Sequence, residues 1–287
     1  MIRLLALLLM LPVFSYAQTL TAVGRIVLKL DLEGFGGLSG IEVFPSGDFL
    51  AITDQGKFIE GSITRLDGEI RSATIFPLSP ILDSKGNPLT GHHTNAEGLA
   101  IGPNGSIYIA FEGNHRIMQH ATRTAAGQFL PKHPDFRTLQ SNSGLEALAI
   151  NADGIMLTIP ERSGKETRPF PVYQFSGAEW SQTTSIPRDG QFLVTGADFG
   201  PDGRFYVLES AFKVPTGFST RIRRFNFVNN TLTEGKTLLV TRTNRLDNME
   251  GISVWADESG QTRLTLVSDN NFNPLLRTVI AEYLVND

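Results

Sequence analysis

The chain has 287 residues, 41% hydrophobic and 19% charged, the balance of a globular domain with a large core. A net charge of −4 offers no basic surface, so DNA and RNA are excluded as expected partners. Cysteine is absent, which excludes disulfides, thiol nucleophiles and a lipid-bearing cysteine.

Met1-Ile-Arg3 is followed by the apolar run Leu4 to Val13 and then by Ser15-Tyr16-Ala17. One positive charge, a short apolar core and small residues before a cleavage point read as a secretory signal over residues 1–17, cut after Ala17. The apolar run of about ten residues is half of what a bilayer span needs, so no membrane span is expected. The mature domain, residues 18–287, is expected in the periplasm or outside the cell.

Thr21 to Leu32 alternates as a strand but has no preceding strand to pair with. Gly34 to Gly40 is a glycine-rich entry. Ser39 within it lacks the Gly-x-Ser-x-Gly frame of a nucleophile elbow, because Ile41 stands where the last glycine belongs. Ser39 to Asp54 is then the first of five similar hairpins, each an apolar strand, a tight turn and an apolar return. The clearest copy is Asn95 to Glu112; Gly144 to Glu161, Thr195 to Glu209 and Asn248 to Asp269 follow. Their turn glycines stand at Gly47, Gly105, Gly154, Gly203 and Gly260.

A hairpin returning at a period of roughly fifty residues is the signature of a β-propeller. A twisted blade has two apolar faces and covers both only by stacking between neighbours. After Asp269 a single strand, Arg277 to Val285, remains, so the N-terminal strand is needed to complete the last blade. The expectation is an all-β propeller of five blades closed by pairing of its N- and C-terminal strands. A sixth, degenerate blade inside one of the longer steps is the alternative. Between the hairpins, Leu78 to Asn95 is irregular and carries His92-His93, of which His93 is taken as a site-lining candidate. Arg221 to Phe227 reads as a third strand with its arginines on a solvated face, turning at Asn229-Asn230.

Each hairpin begins and ends near an acidic residue. Antiparallel pairing is expected to set Glu97 beside Glu112, Glu146 beside Glu161 and Glu250 near Asp269, with Asp54 and Glu209 in the second position of their blades. Blades that all point one way gather these carboxylates at one end of the axis. Crowded like charges need compensation. An all-oxygen set with no cysteine suits a hard cation, calcium first and magnesium as the alternative. The metal-ligand candidates are therefore Glu97, Glu112, Glu146, Glu161, Glu250 and Asp269. The loops after the second acid bring Arg116, Arg162, Lys213 and Asn271 to the same face, and with His93 they form the candidate substrate-binding set. Metal plus arginine is an arrangement that stabilises charge in ester or phosphoryl transfer. The catalytic candidates are Glu97, Glu146, Glu250, Arg116 and Arg162.

Gly36-Gly-Leu-Ser-Gly40, Asn95-Ala-Glu-Gly-Leu99, Phe111-Glu-Gly-Asn-His-Arg-Ile117, Gly144-Leu-Glu-Ala-Leu148, Val207-Leu-Glu-Ser210, Glu250-Gly-Ile252 and Val267-Ser-Asp-Asn-Asn271 together carry a resemblance. The chain resembles the secreted bacterial phytase-like family, described as "esterase-like activity of phytase". The resemblance implies a propeller and a calcium-assisted hydrolysis of phosphoesters or carboxylesters. It assigns no catalytic residue. The expected protein is a monomer acting on a small-molecule (phospho)ester. A metal-dependent lactonase and a non-catalytic periplasmic propeller that binds a ligand or partner are the alternatives.

Overall fold

The computed structural model describes residues 19–29, 34–141 and 143–286. The expected signal segment and the last residues of the expected first strand lie outside the described residues. Blade one is built from β2 (Leu38–Val43), β3 (Asp48–Thr53), β4 (Lys57–Leu66) and β5 (Glu69–Ile75), with β6 (Ser79–Pro80) added on β4. Blade two holds β7 (Ala96–Ile101), β8 (Ile107–Phe111), β9 (Arg116–His120) and the two-residue β10 (Gln128–Phe129). Blade three holds β11 (Leu145–Ile150), β12 (Met156–Pro160), β13 (Phe170–Phe175) and β14 (Trp180–Ile186). Blade four holds β15 (Leu193–Phe199), β16 (Phe205–Lys213), β17 (Gly217–Val228) and β18 (Thr231–Val240). Blade five holds β19 (Asn248–Ala256), β20 (Thr262–Asp269) and β21 (Thr278–Val285), and its outer strand is β1 (Leu20–Leu28).

β1 pairs antiparallel with β21, from Leu20 opposite Val285 to Leu28 opposite Thr278. The two ends of the chain thus close the ring, as the strand inventory requires, and the blade count is five. The repeat turns have one construction. Gly47, Gly105, Gly154, Gly203 and Gly260 all adopt positive φ, and each donates its N–H to the carbonyl three residues earlier. Among the described residues no helix is long and apolar enough to cross a membrane.

Burial follows distance from the axis. The innermost strands β2, β7, β11, β15 and β19 are almost wholly buried, whereas β14 and β18 are mostly exposed. The core divides into five apolar clusters, one between each pair of adjacent blades. Ile52, Phe58, Leu99 and Phe111 fill the boundary of blades one and two, and Trp255 packs into that of blades five and one. Each large side chain buried there contributes about 1.5–3 kcal/mol.

Every inner hairpin carries a one-residue bulge at the same place. The register slips between Leu38 and Gly40, Ala96 and Gly98, Leu145 and Ala147, Val194 and Gly196, and Met249 and Gly251. The extra residues are Ser39, Glu97, Glu146, Thr195 and Glu250, and a bulge re-aims its side chain out of the ladder. Glycine follows in four of the five because the next blade's backbone lies too close for a side chain. A Cβ on Gly98 would sit 2.9 Å from the Glu146 carbonyl, and one on Gly196 would sit 2.6 Å from that of Glu250.

Polar side chains fasten neighbouring inner strands. Ser39 Oγ donates to the Ala96 carbonyl at 2.5 Å and Thr195 Oγ1 to that of Met249 at 3.0 Å. Deeper, Asp198 accepts from Val254 N at 2.6 Å, Ser253 from Val43 N at 2.9 Å, and Glu42 from the Ile101 amide.

Candidate functional site

The bulges place Glu97, Glu146 and Glu250 around the axis at the start of their strands. Directly below them Ile41, Leu99, Leu148, Ala197 and Ile252 leave a cavity of only about 10 Å3. That is at most the room of one water. The axis is therefore a plugged mouth, with carboxylates above an apolar stopper.

The second acids follow the returning strands. Asp54 N bonds the Gly37 carbonyl, Glu112 N that of Asn95 and Glu161 N that of Gly144, while Asp269 lies opposite Asn248. Seven carboxylates from four blades so converge: Asp54, Glu97, Glu112, Glu146, Glu161, Glu250 and Asp269. Blade four supplies Thr195 and Ser210 in their place.

The pairing within the cluster differs from the simple hairpin expectation. The bulge carries Glu97 away from its own hairpin partner, and Glu112 reaches across to blade three instead. Its Oε1 accepts Gly144 N at 3.2 Å, its Oε2 accepts Asn95 Nδ2 at 2.6 Å, and it is hydrogen-bonded by Glu146. Glu250 accepts from Asn248 Nδ2, and Asp269 from Asn271 N at 2.6 Å. The amides Asn95 and Asn248, each two residues before an axial glutamate, are site residues outside the set expected from the sequence. The recurring Asn-x-Glu spacing is the signal that marks them.

Burial, first, and then the neighbouring acids raise the pKa of Glu97, Glu146 and Glu250 well above the ordinary glutamate value. The charges acting on Glu97 are those of Glu250, Glu112, Asp54 and Asp269, so the convergence is electrostatic as well as topological. Burial and the Asp269 charge push Asp54 up to about 6; burial does the same for Asp269 against the pull of two backbone N–H groups. Among the described residues, Glu161 is the one member of the seven with an ion pair, to Arg162 Nε at 3.1 Å.

Several candidates fall elsewhere. Glu209 pairs with Val194, the position that Phe111 and Pro160 hold in blades two and three, so it turns away from the mouth. There it is fully buried between Arg221 and Arg223, at 2.6 Å from each, with Asp189 as a further partner of Arg221. Those two arginines, expected on a solvated face, are buried for that reason. Arg116 is also buried. It donates to the Gly113 and His93 carbonyls at 2.5 and 2.6 Å and lies 3.9 Å from the Phe111 ring centroid. Burial lowers its pKa to about 10, and it braces the loops behind the mouth rather than facing it. His93 lines a separate cavity with Asp83, Asn114 and Arg116. Lys213 is exposed at the tip of β16, and Asn271 serves Asp269 through its backbone. Arg162 remains at the mouth, bonded to Glu161 and Ser143. Ser39, with its hydroxyl buried on a carbonyl, is no nucleophile.

The calcium that the family resemblance implies would meet a donor set that is all oxygen and anionic. Asp54 Oδ1 is buried with no hydrogen-bond partner among the described residues. Both features fit a hard cation. The carboxylates are gathered but not clustered tightly: among the described residues no group of three His, Asp or Glu side chains is placed to hold an ion as it stands.

No curated protein matches the chain. Solved structures resemble it in fold. The catalytic domain of a Coprinopsis cinerea GH62 α-L-arabinofuranosidase aligns with a TM-score of 0.55 at 13% identity, over 93% of this chain and 96% of that one. Regucalcin from Agrobacterium tumefaciens, described as a calcium-binding protein, aligns with a TM-score of 0.53 at 11% identity, over 87% and 91%. At such identities the likeness establishes the propeller alone. The family profile described as "Phytase-like: Esterase-like activity of phytase" matches residues 33–272, almost the whole propeller. With five blades, a plugged axis and an acidic mouth, the chain belongs to this phytase-like family and is a propeller of the hydrolase type.

Proposed function

We propose that the chain is an exported, calcium-assisted hydrolase of phosphoester or carboxylester substrates that works at the acidic mouth. The observation that carries this reading is the convergence of seven carboxylates, with no cation paired to the three axial glutamates among the described residues. Crowding that many buried and half-buried acids together without bases is costly unless they hold protons or a metal. The choice of calcium rests on the oxygen donors; the likeness to regucalcin is one of fold.

Asp54, Glu97, Glu250 and Asp269 form the side of the mouth that would hold the cation. A bound calcium supplies Lewis-acid polarisation of the ester oxygen and acidifies a water. Glu97 has no hydrogen-bond partner among the described residues and a raised pKa, which suits it to take a proton from the attacking water. Glu146 and Glu112 share a hydrogen bond and can hold that proton or return it to the leaving oxygen. Arg162, at the edge and bonded to Glu161 and Ser143, would orient the substrate rather than take part in the transfer.

The test is turnover of generic phosphoesters and carboxylesters with and without chelator. Glu97→Gln is expected to lower kcat by at least about 100-fold with folding intact, the scale of a lost general base. A second reading, a non-catalytic ligand-binding propeller, is favoured by the amide anchoring of Glu112 and Glu250. Cation binding without turnover on any ester would select it.

A further inference from the structure

Beside the mouth, blade three carries a cavity of about 460 Å3, within the range that holds small molecules. Arg162 is common to both. Its Nε bonds Glu161 on the mouth side and Ser143, and its side chain lines the cavity. The loop that follows β12 turns at Gly164, with φ of +87°, and is closed by Arg168 N donating to the Lys165 carbonyl at 3.0 Å. This turn brings a second guanidinium back. A Cβ on Gly164 would sit 3.2 Å from Arg168 Nη1. Arg168 lines the same cavity and has no acidic partner among the described residues.

Arg188 fixes the loop from behind, donating to Ser163 Oγ at 3.3 Å. The remaining wall is neutral or acidic. Gln182 contributes an amide, and Asp135 a carboxylate whose Oδ2 accepts the Tyr173 hydroxyl at 3.1 Å. Two guanidiniums in one concavity recognise an oxyanion by bidentate hydrogen bonds. An adjoining carboxylate accepts hydroxyl groups but repels a second anion.

We propose that this cavity is a subsite for a hydroxylated organic anion, which holds a non-reacting phosphoryl or carboxylate group between Arg162 and Arg168 with its hydroxyls toward Asp135. Resting on the hydrolase reading above, it makes the preferred substrate an ester that carries a second negative group, distant from the bond cleaved. Arg168 then determines specificity and Arg162 links the subsite to the mouth.

The experiment is calorimetric titration of metal-stripped full-length protein with inorganic phosphate and, separately, with tartrate, a hydroxylated dicarboxylate. Binding of either is expected, with the tighter of the two naming the preferred oxyanion. Arg168→Ala, a change at an exposed loop residue, is expected to weaken it about tenfold. Glu250→Gln is expected to leave it unchanged. Absence of binding by both anions overturns the proposal, as does binding insensitive to Arg168→Ala or abolished by Glu250→Gln. Because the readout is binding without metal, a protein that hydrolyses nothing but binds through Arg168 refutes the hydrolase reading and not the subsite.

Discussion

Two kinds of carboxylate withdrawn from solvent occur in this chain, and their partners separate them. Glu209 is fully buried between two guanidiniums, which makes it a structural partner. Removing it leaves Arg221 and Arg223 buried without their counter-charge, and breaking a buried pair this way costs about 3–5 kcal/mol. Glu209→Ala is therefore expected to lower the unfolding free energy by that amount, or to prevent folding, and chemical denaturation with Glu209→Gln as the milder companion measures it. Glu97 is the opposite case. It is half-buried among like charges with no base, and desolvation and those charges raise its pKa. The two look alike in sequence, as an acid at a strand end. The distinction depends on which face of β16 Glu209 occupies, and one position of register decides that.

At the level of the element, the bulge at the start of each inner strand determines the site. It turns Glu97, Glu146 and Glu250 to the axis, and the glycine after it lets the next blade approach. Gly196→Ala would set a methyl 2.6 Å from the Glu250 carbonyl. Overpacking of this kind costs about 1–3 kcal/mol, and the shift falls on an axial glutamate. Reduced stability together with reduced turnover is the expected outcome, measured by thermal melting and ester hydrolysis on one preparation. The hairpins, their turns and their period were legible in the sequence because Pro/Ala-Asn/Asp-Gly turns and apolar runs are local signals. The bulge was not, since nothing in Asn95-Ala-Glu-Gly-Leu99 alone shows that Glu97 lacks a cross-strand partner. Glu42 is equally silent in the sequence: its role is to cap the Ile101 amide of another blade, a contact made only in the closed ring. The buried place of Arg116 is hidden for the same reason, because its carbonyl partners Gly113 and His93 are brought together only by folding.

For the whole molecule, closing the ring concentrates acid at one end, and stability should register it as a function of pH. In the unfolded chain these carboxyls ionise near 3.8 to 4.5, whereas in the folded protein Asp54 and Asp269 hold protons to about 6 and Asp198 to about 7. The folded state thus binds more protons across that window, and stability falls as pH rises through it. The buried His115 and His120 act oppositely. Burial lowers their pKa, so their contribution grows as pH rises and is complete above about 6.5. Between pH 6.5 and 8 only the acids act, and metal-stripped protein is expected to melt at a lower temperature at pH 8 than at pH 6.5. Calcium is expected to recover most of the loss by binding the native state alone.

Whether the acidic mouth gathers a cation is decided by calorimetric titration of calcium into metal-stripped protein at pH 7.5, in two buffers of different ionisation enthalpy. Saturable binding at submillimolar calcium is expected, with protons released from the axial glutamates and both effects lost in Glu97→Gln. No binding at millimolar calcium, or binding that Glu97→Gln leaves untouched, would refute a cation held by these carboxylates.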